Sequence, residues 1–218
     1  STRLIGALIM AHSDDDGLVL PPKLATHQAV IVPIWKNDEE KTEVLAFAQG
    51  INQELIGAGL NPIFDDREEH KPGWKFAEYE LIGIPLRLEI GPRDVRANSC
   101  FVARRDTKEK FSVARDALTT AVLQTLEAIQ ANLYTRALNF RNENTYAVET
   151  YEEFKTSLES RAGFLLAHFC GSATCETKIS GETKATIRLL TFDFAKEEGA
   201  CVYCGQSSQR RVHFAKAY

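Results

Sequence analysis

No stretch of this chain stays apolar for the roughly 20 residues a membrane-spanning helix needs. The apolar run Leu4–Met10 is far too short, and the acidic triplet Asp14-Asp15-Asp16 follows it closely, so neither a membrane span nor a secretory signal peptide is expected. Positive charge is not in excess either. The 26 basic residues are outnumbered by 30 acidic ones, and a net charge of −4 means that any nucleic-acid binding must come from a local basic patch. A Gly-rich phosphate loop, a G-x-S-x-G elbow and a catalytic Cys–His signature are all missing. If the chain belongs to an enzyme, most of the chemistry is expected elsewhere. There is no internal repeat and no low-complexity tract. Cysteines are few, five in 218 residues with no leader expected, which suggests a reducing, cytoplasmic setting where metal binding outranks a disulfide framework. The first residue is serine, which fits processing or a piece of a longer protein.

What remains is an ordinary globular composition, 44% hydrophobic and 26% charged, with length for two modest domains. Residues 1–24 read as the end of a preceding unit, closed by Pro21-Pro22, which impose extended backbone. Strands and helices then alternate. Ala29–Ile34 is a β-branched run, read as a buried strand. Asn37 and Glu40 form a capping box for a helix whose face holds Val44, Phe47, Ala48, Ile51 and Leu55, ended by Gly57 or Gly59. Pro62–Phe64 predicts a second strand, and Pro72 opens a helix through Leu81. Strands are expected at 84–90, 100–103 and 111–113, before a long helix with Leu118, Val122, Leu126, Ile129 and Leu133 on one side. The alternation predicts a layered α/β domain with a partly parallel sheet. Arg141–Thr145 reads as a linker into a second unit, with a helix over 152–160 and strands over 163–169, 189–194 and 211–214.

Four cysteines stand out in that second unit. Cys170 and Cys175 form a C-x4-C pair, and Cys201 and Cys204 a C-x2-C pair, with 25 residues between the pairs. Two such hooks suit one tetrahedral zinc held by four thiolates in a closed, structural site; buried free thiols or disulfides are the alternatives. His168 lies close enough to be an alternative ligand, although four cysteines already fill a tetrahedron. Cys100, alone in a strand pattern, is expected in the core.

Between Arg87 and Lys110 seven basic residues face four acidic ones, a local reversal of sign. Arginine donates two parallel hydrogen bonds to a guanine edge or a phosphate, so these side chains suit nucleic acid; a solvated sheet edge explains the charges equally. Trp74, Phe76 and Tyr79 suit stacking on unpaired bases, or simply pack a core. The acidic run Asp65, Asp66, Glu68, Glu69 with His70 has no ligand spacing and reads as a charged loop entering a helix.

These residues together resemble a known family. Ser1–Gly6 with His12-Ser13-Asp14-Asp15-x-Gly17-Leu18-Val19-Leu20-Pro21-Pro22 is similar to the third class II motif of prolyl-tRNA synthetases and the segment after it. Asp65-Asp66-Arg67, Pro72-Gly73-Trp74-Lys75-Phe76, Glu80-Leu81-x-Gly83-Ile84-Pro85-Leu86-Arg87 and Gly91-Pro92-Arg93-Asp94 resemble that family's anticodon-binding domain. The cysteine hooks and the final Phe214-Ala215-Lys216-Ala217-Tyr218 resemble the C-terminal zinc domain of its archaeal- and eukaryote-like branch. The resemblance implies three parts: 1–24 from the end of the catalytic domain, 25–142 as anticodon-binding domain and 143–218 as a small α+β zinc domain.

It also implies an ATP- and Mg2+-dependent ligase that joins proline to tRNA(Pro) in two steps, homodimeric and cytoplasmic, with this part inactive alone. Arg3 matches the arginine that stacks on adenine, and Tyr218 matches a C-terminal carboxylate that helps to order the active site. Glu80, Arg87 and Arg93 match positions that meet the anticodon guanines or nearby phosphates, with Arg105 and Lys108 as weaker candidates. The competing reading is a free-standing, zinc-stabilised module of anticodon-domain fold that holds a protein partner.

Overall fold

The computed structural model describes residues 1–190 and 196–216, in a chain that divides into two units, Ser1–Ala137 and Leu138–Tyr218. The first unit opens with helix α1 (Arg3–His12), none of whose side chains is buried. A strap over residues 14–20 follows. Then come β1 (Ala29–Pro33), α2 (Asp38–Gly57), β2 (Ile63–Phe64), α3 (Pro72–Leu81), β3 (Leu86–Ile90), the short α4 (Pro92–Arg96), β4 (Ser99–Arg104), β5 (Lys110–Ala114) and α5 (Leu118–Glu143). The strands form one sheet in the order β2-β1-β3-β4-β5. β2, β1 and β3 run parallel, and β4 and β5 turn back antiparallel. This is the mixed, partly parallel sheet expected from the alternation.

Each face of that sheet has its own cover. Every residue of β1 is buried, as a strand covered on both sides requires. Ala29, Ile31, Leu86, Leu88 and Ile90 point one way and pack with Val44, Ala48, Ile51 and Leu55 of α2. The α5 residues Leu118, Val122, Leu126, Ile129 and Leu133 join the same core, all five as the periodicity predicts. Val30 and Val32 point the other way and meet Phe76 and Tyr79 of α3 with Ile84. Asn37 caps α2 by accepting from the Glu40 N–H (2.9 Å), and Glu40 in turn accepts from the Lys36 N–H (2.9 Å), one residue earlier than a strict capping box. Cys100 is fully buried, and burial pushes its thiol up to about 12, as an inert core residue.

The second unit is a four-stranded sheet of order β6-β7-β11-β8 beside a two-stranded ribbon. Its elements are β6 (Thr145–Ala147), α6 (Tyr151–Ser160), β7 (Phe164–His168), α7 (Ala173–Thr183), β8 (Ala185–Leu189), β9 (Gly199–Ala200), β10 (Ser207–Ser208) and β11 (Arg211–Lys216). Phe154 of α6 meets Phe214 of β11 edge to face (centroids 5.2 Å apart) at the centre of a core with Leu165, Ala167, Ile179 and Val212.

Three expectations change here. The linker expected over 141–145 is structured: α5 continues to Glu143 and β6 begins at Thr145. The strand expected over 189–194 is displaced to Ala185–Leu189, and residues 191–194 of that expectation lie outside the described residues. Helix α7, between the two cysteine pairs, had not been foreseen, nor had α1 and α4.

Candidate nucleic-acid interface and metal centre

The cysteines are brought together from two loops. Cys170 follows the end of β7, and Cys175 is the third residue of α7. Cys201 and Cys204 sit in the turn between β9 and β10, closed by the Gly205 N–H donating to the Cys201 carbonyl (2.9 Å). The four Sγ atoms lie within 4.8 Å of one another, with Cys170–Cys175 at 3.7 Å and Cys204–Cys170 at 3.8 Å. A tetrahedron with Zn–S bonds of about 2.3 Å has S···S edges of ~3.8 Å, so the donor set fits zinc. Burial pushes the Cys175 thiol up to about 12. Burial also acts against ionising Cys201, but the N–H groups of Cys204, Tyr203 and Cys170 overcome it and hold that thiol near 7. His168 is not part of the group: its ring is buried, Nδ1 lies 3.3 Å from the Ser208 hydroxyl, and the ring packs against Gly199.

On the first unit, the face of the sheet that carries α3 is polar beyond that helix. Arg87 and Glu89 alternate on it with the buried Leu86, Leu88 and Ile90 of the opposite face. The cross-strand register sets Arg87 beside Ala103 and Glu89 beside Phe101, and Phe101 beside Ser112. Phe101 is half-buried and Ser112 exposed, so the β4–β5 part of this face is accessible. Arg87 itself is 6% exposed. Its guanidinium lies 4.1 Å from the centroid of the Phe76 ring, Nε donates to Glu89 (2.9 Å) and Nη1 donates to Glu80 (2.7 Å). Among the described residues Nη2 has no hydrogen-bond partner. One guanidinium thus holds two carboxylates in place, and the Glu80 side chain stays 44% exposed. Such an edge, carboxylate oxygens beside a spare guanidinium N–H, offers acceptors for guanine N–H groups and a donor for its carbonyl.

The other candidates separate. Arg93, the second residue of α4, is exposed and makes no ion pair among the described residues. Arg105 is 4% exposed; both its Nη atoms bind Asp14 and its Nε binds the Glu80 carbonyl. Lys108 is exposed but paired with Asp16. Arg3 lies on the exposed α1, and Tyr218 lies outside the described residues. Of the aromatics left open by the sequence, Tyr79 is buried and donates to Asp65 (3.0 Å), Phe76 supports Arg87, and Trp74 stacks on His70 at 3.6 Å. Glu89 was passed over as one acid in a basic segment. Its place opposite Phe101 and beside Arg87 is a matter of register, and the alternation of β3 was the signal that could have found it.

The acidic loop is also more than charged surface. The Asp65 carboxylate is 1% exposed and accepts from Arg67 Nε (2.9 Å), Arg67 Nη2 (2.9 Å) and Tyr79. The Lys75 ammonium, 3% exposed, lies 3.3 Å from it. Burial alone would raise the Asp65 pKa; Arg67, Tyr79 and Lys75 together hold it well below the usual carboxylate range. This network fixes α3, the helix that presents Phe76 and Glu80. Among the described residues, no helix is long and apolar enough to cross a membrane.

Comparison with known proteins identifies the family. Residues 28–125 match the anticodon binding domain family, and residues 151–218 match the family described as prolyl-tRNA synthetase, C-terminal. Proline--tRNA ligase of Amoebophilus asiaticus (strain 5a2) is 50% identical over 218 residues, covering 100% of this chain and 44% of the relative. That of Chloroherpeton thalassium (strain ATCC 35110 / GB-78) is 55% identical over 226 residues, covering 100% of this chain and 46% of the relative. The chain thus spans under half the length of these curated relatives. With both domain families matched in order and half of all residues shared along the whole chain, it belongs to the prolyl-tRNA synthetase family, as the C-terminal portion that carries the anticodon-binding domain.

Proposed function

We propose that the first unit reads the anticodon of tRNA(Pro), through Glu80, Arg87 and Glu89 on the open sheet face with Arg93 at its edge. The observation that carries this reading is the Phe76-supported Arg87 bound to two carboxylates, on the sheet face that also holds the half-buried Phe101 and the exposed Ser112. Proline anticodons end in two guanines, and the carboxylates supply acceptors for guanine N1–H and N2–H groups that adenine does not offer in that pattern. Arg93, with no ion-pair partner among the described residues, supplies a charge for a base or a phosphate. The whole protein is then an ATP- and Mg2+-dependent proline–tRNA ligase, homodimeric and cytoplasmic. Arg3 serves ATP, and the Tyr218 carboxylate helps to order the active site. Zinc on Cys170, Cys175, Cys201 and Cys204 serves as a structural clasp of the second unit.

The test is titration of the chain with a proline anticodon stem-loop and with the same loop carrying adenines in place of both guanines. Preference for the guanine loop by about tenfold or more per base is the expected outcome, as each well-made base contact is worth ~1–3 kcal/mol. Equal affinity for the two loops removes the anticodon reading. A chain that binds neither loop would instead favour a module that holds a protein partner.

A further inference from the structure

Arg105 and Lys108 look, from sequence, like members of the RNA-facing basic segment, yet both turn away to the strap over residues 14–20. The strap lies against the C-terminal end of α3. Leu18 N–H donates to the Leu81 carbonyl (2.9 Å) and Leu20 N–H to the Gly83 carbonyl (3.3 Å). The two backbones meet so closely that a Cβ on Gly17 would lie 2.6 Å from the Leu81 backbone, and one on Gly83 2.7 Å from Leu18. Both glycines have positive φ, +130° and +78°, so each position demands glycine on two counts. Around this seam the β4–β5 turn closes a clasp. Arg105 donates to both Asp14 oxygens (2.7 and 2.5 Å), and Lys108 pairs with Asp16.

The same Arg105 side chain also reaches the reading face. Its Nε donates to the backbone carbonyl of Glu80 (3.0 Å), shared with the Gly83 N–H, while its own N–H donates to the Pro85 carbonyl (3.0 Å). Glu80 is the residue whose carboxylate accepts from Arg87. Asp14, Arg105, Glu80 and Arg87 therefore form one unbroken chain of charge-assisted or backbone hydrogen bonds, from strap to reading face. Arg105 is 4% exposed with Nε and both Nη atoms engaged, so RNA could be reached only by breaking the clasp.

We propose that Arg105 is a positioning residue and not an RNA contact: clamped by Asp14, it sets the last turn of α3 so that Glu80 meets the anticodon guanine, and it ties the strap to that face. This rests on the anticodon reading and deepens it. It assigns one of the two weaker expected RNA ligands a different task, and gives Asp14 a part in RNA binding without contact. A planar, five-donor fork is needed to hold a carboxylate and a carbonyl at once, which a lysine does not provide.

The experiment uses R105Q, R105K and D14N, with the guanine and adenine stem-loops titrated over a range of salt. R105Q and D14N should each weaken the guanine loop by roughly tenfold and narrow its lead over the adenine loop, the usual size of coupling between contacting groups. The slope of log K against log salt should stay unchanged, because no phosphate contact is lost. R105K should not rescue, and R105Q/D14N should be no worse than R105Q. Hydrogen exchange at the Leu18 and Leu20 amides should speed up in both single variants. D14N is the decisive member: removing an acid would normally favour RNA, and its side chain is partly exposed, so it keeps the test sharp if R105Q folds poorly.

The inference is overturned if R105Q lowers the salt slope by about one while R105K restores it, the behaviour of a phosphate contact. It is overturned equally if D14N binds the guanine loop as well as or better than the wild type. Failure of the wild type to distinguish the loops is a different result. It removes the anticodon reading and the positioning role with it, whereas unchanged amide exchange in the variants removes the clasp alone.

Discussion

Asp65 carries a charge that the first unit cannot readily spare. It is buried against Arg67, Lys75 and Tyr79, and replacing it by asparagine leaves the Lys75 ammonium without its counter-ion. Breaking a buried pair from one side costs about 3–5 kcal/mol, so D65N should lower the urea midpoint steeply with little change in slope. The pH dependence has a definite sign. A carboxyl held below its ordinary 3.8 stabilises the fold fully above that value, and that stabilisation is lost as pH falls from about 4 towards the depressed folded value. The gap between wild type and D65N should therefore shrink under acid; a constant gap from pH 7 to pH 2 would refute the assignment. At the reading face, R87K keeps the charge but cannot hold Glu80 and Glu89 together. It should weaken binding of the guanine loop by about tenfold, ~1.4 kcal/mol, measured by titration.

At the scale of elements, how much could be read depended on what each element buries. Helices α2 and α5 carry five or so apolar side chains at three- and four-residue spacing into one core, so their periodicity announced them. Helix α7 buries only Cys175 and Ile179, one of which belongs to the cysteine cluster, so no apolar stripe existed to be seen. Helix α1 buries nothing, and the end of α5 beyond Leu133 adds no buried residue, which is why its last turns read as a linker. The N-terminus of α2 is held by Asn37, and N37A should cost about 1 kcal/mol, seen as a lower thermal midpoint of the first unit. N37D should cost little, since aspartate caps equally well and suits the helix dipole.

At the scale of the whole molecule the two units have different sources of stability. The first has a core on both faces of its sheet, whereas the second has a smaller core and brings four thiols together. Purified protein is expected to hold one zinc per chain by elemental analysis. Structural zinc in small peptides contributes roughly 10–16 kcal/mol of apparent binding energy, so chelation should speed amide exchange over 170–204 while β1, β3 and α2 stay protected. Unchanged exchange on chelation, with four reactive thiols, would mean that zinc does not hold this unit.

The sequence by itself determined the elements with strong apolar periods, the two chelating hooks and the family, because these depend on residue type and spacing along the chain. It also narrowed the binding residues to a basic segment. Only the tertiary structure decided which of those charges are available. Arg87 and Arg105 are equally arginine in sequence, and both are nearly buried once folded. One is held against Phe76 between two carboxylates on an open face, the other is spent on Asp14 and a helix carbonyl. The difference arises from a partner 91 residues away in one case and partners 2 to 11 residues away in the other, and only the nearer pairing lies within reach of a local pattern.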